Sequence, residues 1–235
     1  MFQHFIITQF NTKFIHHKKI GSEVPTEDWM IHRFNFFNKI CYPSIENQSN
    51  QNFEWLVFFD KETTDTTGFN KYPKMIPILM YDYDDWNYKY INRYLRPRIK
   101  SDTKWIITTR LDNDDALHYD YIKDVQERFN GEEILLNYTD GYIYNIESEQ
   151  VNYFNYVVSN PFITLIEKTP IDNNMIKTCN YTTHPYMQKV FQKINISTNK
   201  NRPMWLQIIH DKNIGNVMRG KQLSIFDLGV FHIKP

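Results

Sequence analysis

Three carboxylates, Asp112, Asp114 and Asp115, leave the end of an apolar run, Trp105-Ile106-Ile107-Thr108-Thr109-Arg110-Leu111. Acids packed so closely repel one another unless a cation or a hydrogen-bond donor sits among them. A hard divalent metal answers that need, since carboxylate oxygens are its preferred ligands. Arg110, two residues ahead, can reach a diphosphate or orient a carboxylate with paired N–H groups. Ala116 follows, small enough for the backbone to turn closely around a bound group. The plainer alternative is a solvated acidic turn that caps the next helix. A second set, Asp82, Asp84 and Asp85, has the same spacing but neither the arginine before it nor the small residue after it. The later set is therefore the stronger candidate.

Other chemistries find little support. An EF-hand starting at Asp112 would need Gly at its sixth position and Glu at its twelfth, where Leu117 and Lys123 stand. With 7 glycines in the chain, no P-loop and no Gly-x-Gly-x-x-Gly are present. Nucleophile-elbow, His-Glu-x-x-His and paired-cysteine motifs are absent too. A basic cluster, His16-His17-Lys18-Lys19, sits in a polar loop where it can touch phosphate or simply be solvated.

The elements that must position these residues follow from periodicity. Five of the first seven residues of the Trp105 run are β-branched or aromatic, which predicts a buried strand with the acids at its carboxyl end. In an open α/β sheet, that edge is where ligands sit. Earlier strands are predicted over His4–Phe10, Phe53–Asp60 and Ile76–Tyr81. A helix capped by Thr26 carries Trp29, Arg33, Phe36, Phe37 and Ile40 at helical spacing, and Pro43-Ser44 is expected to end it and start a short turn of helix. Arg33 is out of place on that apolar side. Helices are expected at Trp86–Leu95 and Tyr119–Phe129, the second stopped by Gly131. Strand and helix alternate to this point, which implies a mostly parallel sheet covered on both faces. Beyond it, short strands at Glu133–Asn137, Tyr142–Ile146, Val151–Val157 and Phe162–Glu167 read as a meander. A helix at His184–Ile194 and a strand at Trp205–Ile209, ending in His210, complete the pattern.

The 235 residues suffice for one α/β domain with a proper core. No segment rich in Pro, Gly or Ser divides them, so a single domain is expected, nucleotide-binding over about 1–130 and acceptor-binding over about 131–235. Its 27 basic and 27 acidic residues cancel, which gives no field to attract nucleic acid or an acidic membrane. Two cysteines, Cys41 and Cys179, form neither a disulfide framework nor a zinc cluster and suit a reducing, cytoplasmic setting. No apolar run reaches membrane-spanning length, and Met1-Phe2-Gln3-His4 does not open a signal peptide. Four Asn-x-Ser/Thr matches carry no weight in so Asn-rich a chain. Aromatic residues make up 16%, and their flat faces suit sugars as well as a core.

A first strand near residue 5, a second ending in Asp60 and a later one ending in Asp-x-Asp together resemble the GT-A fold of nucleotide-sugar glycosyltransferases. The closer resemblance is to the group named "putative rhamnosyltransferases". It is carried by His4 to Asn11, by Arg33-Phe34 to Pro43-Ser44, and by Phe53 to Asp60. It continues in Thr108 to Ala116 and in a late Trp205-Leu206-Gln207-x-x-His210 with Asn213 three residues beyond. The chain departs from the group at Gln9, where a basic residue is expected, and over Asp140 to Thr183.

The resemblance implies transfer of a sugar, rhamnose included, from a nucleotide diphosphate sugar to a glycan or other hydroxyl acceptor, assisted by Mn²⁺ or Mg²⁺. On that footing Asp112, Asp114, Asp115 and His210 are expected at the metal. Thr8, Phe10 and Asn11 would line the base and ribose, Asp60 would accept from the base, and Arg33, Arg110 and Asp112 would meet the donor. Glu167 is the first choice for the base that takes the acceptor proton, with Asp140 and Asp211 behind it. Three other readings remain: a non-catalytic carbohydrate-binding protein, a sugar nucleotidyltransferase, and a phosphohydrolase with an acidic metal site.

Overall fold

The computed structural model describes residues 1–12, 27–60, 63, 68–80, 88–170, 175–211 and 217–234. The rival acids Asp82, Asp84 and Asp85, the His16–Lys19 cluster, the Thr26 cap and Asn213 lie outside them.

Strand β1 (Phe2–Gln9) lies in parallel between β2 (Glu54–Asp60) and β4 (Trp105–Asp112). Strand β3 (Met75–Met80) extends the parallel run beyond β2 and forms the sheet edge. Pro77 is tolerated there because an edge strand can spare a ladder N–H. The chain passes β1, β2, β3 to one edge and then returns to place β4 on the other side of β1. This reversal opens a crevice outside the carboxyl ends of β1 and β4, the favoured ligand position in such sheets.

Both faces of the sheet are covered, as the near-continuous apolar strands require. On one face Phe5, Ile7, Leu56, Phe58 and Ile106 pack against Ile91 and Leu95 of α3 (Tyr88–Leu95) and Met187 of α5 (His184–Val190). On the other, Ile6, Val57, Phe59, Ile107 and Leu111 meet α1 (Glu27–Phe36), α2 (Tyr42–Glu46) and α4 (Tyr121–Glu127) through Phe34, Tyr42, Ile45, Tyr121 and Val125. Each such side chain stabilises the fold by roughly 1.5–3 kcal/mol relative to exposure. The short turn of helix expected at Pro43-Ser44 is α2, but the break expected before it is absent. Helix α1 runs through a π turn at Phe37–Cys41 straight into α2. Tyr42 N–H donates to Phe37 O, and Pro43 occupies the first turn of α2, where its missing N–H costs nothing.

The later strands do not form one meander. Strands β6 (Ile134–Tyr138), β9 (Thr164–Lys168) and β10 (Lys193–Ile196) join the large sheet, which runs β10-β6-β9-β4-β1-β2-β3. The hairpin β7 (Asp140–Asn145) and β8 (Gln150–Asn155) joins β5 (Ala116–Leu117), β11 (Trp205–Ile209) and β12 (Lys221–Gln222) in a second sheet, ordered β12-β8-β7-β11-β5. The helix expected to reach Ile194 stops at Val190 because Lys193–Ile196 pairs in parallel with β6. A β-branched pair with a partner strand outweighs helical patterning there. The result is a single mixed α/β domain whose large sheet draws strands from both halves of the chain.

The second sheet matters because of β5. It begins one residue after Asp115 and pairs antiparallel with β11, Leu117 against Trp205 and Ala116 against Leu206. Strand β11 therefore runs back beside the acids, and its end delivers His210 to them. Trp205 lies across Gly141 of β7, where a Cβ would fall inside the indole. Only glycine permits that approach.

Candidate active site

At the carboxyl rim of β1 and β4, charges are paired with charges. Asp114 is buried, and its Oδ2 accepts from Arg33 Nη1 at 2.5 Å and from His210 Nε2 at 3.0 Å. Arg33 Nη1 also donates to Asn113 Oδ1 at 3.3 Å, while its guanidinium lies 5.1 Å from the Trp29 ring. Burial alone would raise the Asp114 carboxyl, but Arg33 and His210 outweigh it and hold the pKa down at about 2. Asp112 is engaged by Arg110, whose Nη2 reaches Oδ1 at 2.8 Å and Oδ2 at 2.9 Å. The other arm of Arg110 donates to Pro161 O at 2.7 Å.

Asp115 has a different setting. It is 1% exposed, and its Oδ1 accepts the Ile208 N–H at 2.8 Å, which ties β11 to the cluster. Burial, followed by the neighbouring charges of Asp114 and Asp112, pushes its pKa well up. Beneath them Cys41 donates its thiol to Asp112 O at 3.5 Å. Its own pKa is raised by burial and then by the three carboxylates.

The sequence-predicted residues divide accordingly. The structure brings Arg33, Arg110, Asp112, Asp114, Asp115, His210 and Asp211 to one rim. Asn11 stands at the same end, donating to Thr63 Oγ1 at 2.8 Å and accepting the Asp60 N–H at 3.0 Å. It thereby ties the end of β1 to the end of β2. Asp60 is 5% exposed. Two side chains expected at the pocket are engaged within the core. Thr8 is fully buried and its hydroxyl accepts from Trp55 Nε1 at 2.9 Å. Phe10 is packed against Phe34, Phe37 and Phe59. Both satisfy the core, although the Phe10 carbonyl does accept from Asn113 Nδ2 at 2.8 Å.

Two proposed bases lie elsewhere. Glu167 is opposite Ile106, six residues before Asp112, or about 20 Å along the sheet. Its carboxylate accepts the N–H groups of Lys177 (2.9 Å) and Thr178 (2.8 Å). Burial outweighs those donors and lifts its pKa to about 7. Asp140 is fully buried at the foot of β7 and accepts from Thr139 Oγ1, Tyr153 Oη, Asn155 Nδ2, Ser197 Oγ and Thr198 N. Burial opposes ionisation, but these donors, Tyr153 foremost, hold its pKa at about 2. An acid so fully hydrogen-bonded is an anchor. Asp211 alone of the three stands at the rim, its side chain 58% exposed.

One rim residue escaped the sequence reading. His32 of α1 lies beside Arg33, and its ring is 5.2 Å from that of His210. His32, His210 and Asp211 place one ligand atom each within 4.8 Å of one another. The available signal was the i, i+4 pair His32 and Phe36, whose second member stacks on His210 at 4.4 Å.

A family model described as "putative rhamnosyl transferase" matches residues 8–222. Among solved structures, the chain is similar to one described as a "putative nucleotide-diphospho-sugar transferase" from Desulfovibrio desulfuricans G20. That likeness covers 90% of this chain and 83% of the other at 8% identity, with a TM-score of 0.39, too slight to bear on activity. No curated protein matches significantly.

Proposed function

The chain belongs to the putative rhamnosyl transferase family, and on that footing we propose that it transfers a sugar, rhamnose among the candidates, from a nucleotide diphosphate sugar to a hydroxyl acceptor. The observation that carries this reading is the buried Asp114, which joins Arg33 and His210 in the crevice at the ends of β1 and β4. Such a site can receive a diphosphate. Arg33 and Arg110 are positioned to trade a carboxylate oxygen for a phosphate oxygen, since both anions fit a guanidinium fork equally well. Asp112, partly exposed beside Arg110, is placed to meet the ribose or sugar of the donor. Asp60, at the end of β2, is placed to accept from an N–H of the base. Asn11 fixes the backbone on which that carboxylate sits.

The rim fits a divalent ion, because three ligand atoms from His32, His210 and Asp211 converge next to the carboxylates. When bound, such an ion supplies charge neutralisation to the departing diphosphate. Glu167 and Asp140 are not proposed as bases, since neither reaches this rim.

The reading is tested by incubating the protein with Mn²⁺ and a panel of nucleoside diphosphate sugars, rhamnose donors included. Slow release of nucleoside diphosphate is expected for one donor. Asp114→Asn should lower that rate by roughly 100-fold, because Arg33 and His210 lose the carboxylate that orients them. Binding of a free glycan without turnover of any donor would favour the carbohydrate-binding alternative.

A further inference from the structure

Two elements distant in sequence bring His32 and the pair His210-Asp211 together. His32 Nε2 lies 3.6 Å from Asp211 Oδ1, and His210 Nδ1 lies 3.8 Å from the same oxygen. At metal–ligand bonds of ~2.1 Å, two ligands at a tetrahedral angle stand about 3.4 Å apart. The three groups thus need only small shifts to close around an ion. His210 is already oriented for it. Its Nε2 faces Asp114 Oδ2 at 3.0 Å, so a neutral ring donates Nε2–H there and turns the Nδ1 lone pair toward Asp211. Phe36, stacked on the ring at 4.4 Å, fixes its plane.

Resting on the transferase reading, we propose that the divalent ion is held by His32 Nε2, His210 Nδ1 and the Asp211 carboxylate, with Asp114 as a positioning residue behind His210. The acidic cluster is the less suitable seat. Asp112 is engaged by Arg110, Asp114 by Arg33, and Asp115 by the Ile208 N–H. An ion at those carboxylates would compete with guanidinium and strand N–H partners already bound there. Asp211 is 58% exposed, which leaves the proposed site open to the crevice. Two imidazoles and one carboxylate suit Mn²⁺, Co²⁺ or Zn²⁺ rather than Mg²⁺, whose preferred ligands are all oxygen.

The test uses the full chain with Mn²⁺ alone, titrated by electron paramagnetic resonance, with spin-echo modulation to detect nitrogen on the metal. Nitrogen coupling is expected, with Mn²⁺ bound more than about tenfold tighter than Mg²⁺. His32→Ala, and His32→Gln as a variant that keeps the bulk, should each weaken Mn²⁺ binding at least about tenfold. Asp114→Asn should weaken it by about 10–100-fold while the nitrogen coupling persists. Absent nitrogen coupling, or Mn²⁺ affinity unchanged in both His32 variants and lost in Asp112→Asn, would overturn this ligand set. Donor turnover measured on the same samples separates the two readings. Nitrogen-ligated Mn²⁺ with no donor bound or cleaved sinks the transferase reading and leaves the metal site standing. Donor turnover without nitrogen coupling does the reverse.

Discussion

Buried acids stand both at the carboxyl rim and away from it, and they are held in opposite ways. At the carboxyl rim, Asp112 and Asp114 are paired with the guanidinium groups of Arg110 and Arg33. Away from that rim, Glu167 in β9 and Asp140 at the start of β7 are held by neutral donors, the N–H groups of Lys177, Thr178 and Thr198 and the side chains around Asp140. The two arrangements differ in what they can give up. A guanidinium can pass from a carboxylate to a phosphate, since both anions offer it paired oxygens. A backbone N–H buried beneath a strand has no second acceptor to go to. The rim is therefore able to exchange partners with a ligand, and Glu167 and Asp140 are able only to hold the chain together.

The sharpest way to break that contrast is Asp140→Ala. Five donors would lose their acceptor inside the protein, and unfolding free energy should fall by about 3–5 kcal/mol. Urea denaturation measures it. The folded fraction should bind nucleoside diphosphate normally, and a selective loss of nucleotide affinity at unchanged stability would return Asp140 to the active site.

Glu167 gives a somewhat smaller effect and a pH signature. Below pH 4.5 its carboxyl is protonated in both folded and unfolded chains. Between 4.5 and about 7 the unfolded chain ionises while the buried group stays neutral, so stability falls as pH rises. Above about 7 the fall is complete, at about 3 kcal/mol. Glu167→Gln should remove this slope from melting curves taken between pH 4.5 and 8. It should leave donor turnover unaltered, because the residue lies about 20 Å from the rim. A slope identical in both proteins would show that burial does not govern this carboxyl.

The sequence disclosed the rim better than it disclosed the sheets. Spacing placed Asp112 and Asp114 at a strand end, and the family resemblance added His210, which lies 3.0 Å from Asp114. The oddness of Arg33 on an apolar helix face had a physical cause, since a buried carboxylate waits there for it. What stayed hidden depended on contacts between distant segments. His32 carries one local signal, Phe36 four residues on, and nothing in it points to His210. The strands β6 to β9 look alike in hydropathy, yet pairing assigns β6 and β9 to one sheet and β7 and β8 to the other. Glu167 and Asp140 mislead for the same reason. An acid near a strand end has the same local pattern whether the strand points toward the crevice or away from it; the antiparallel register of β9 against β4 decides for Glu167, and the pairing of β7 with β11 for Asp140.

The smallest expected effect sharpens the contrast within the rim itself. Asp60 closes β2 and is tied to Asn11 through its backbone N–H, not through its carboxylate. Alanine at position 60 retains that N–H, so the link between β1 and β2 survives the substitution. What is lost is the carboxylate proposed to accept from the nucleotide base. Such a contact is made equally to the bound donor and to the transition state, far from the bond that breaks. Asp60→Ala should therefore raise KM for the donor by about tenfold, near 1.4 kcal/mol, and leave kcat within a factor of two or so. Calorimetry should show the same loss for the free nucleoside diphosphate. Asn11→Ala is the control, because it removes the acceptor of the Asp60 N–H and the donor to Thr63 together and should lower stability as well. Equal nucleotide affinity in Asp60→Ala and the parent protein would remove Asp60 from the donor site and leave Asp112 and Asp114 as the rim acids with a claim on it.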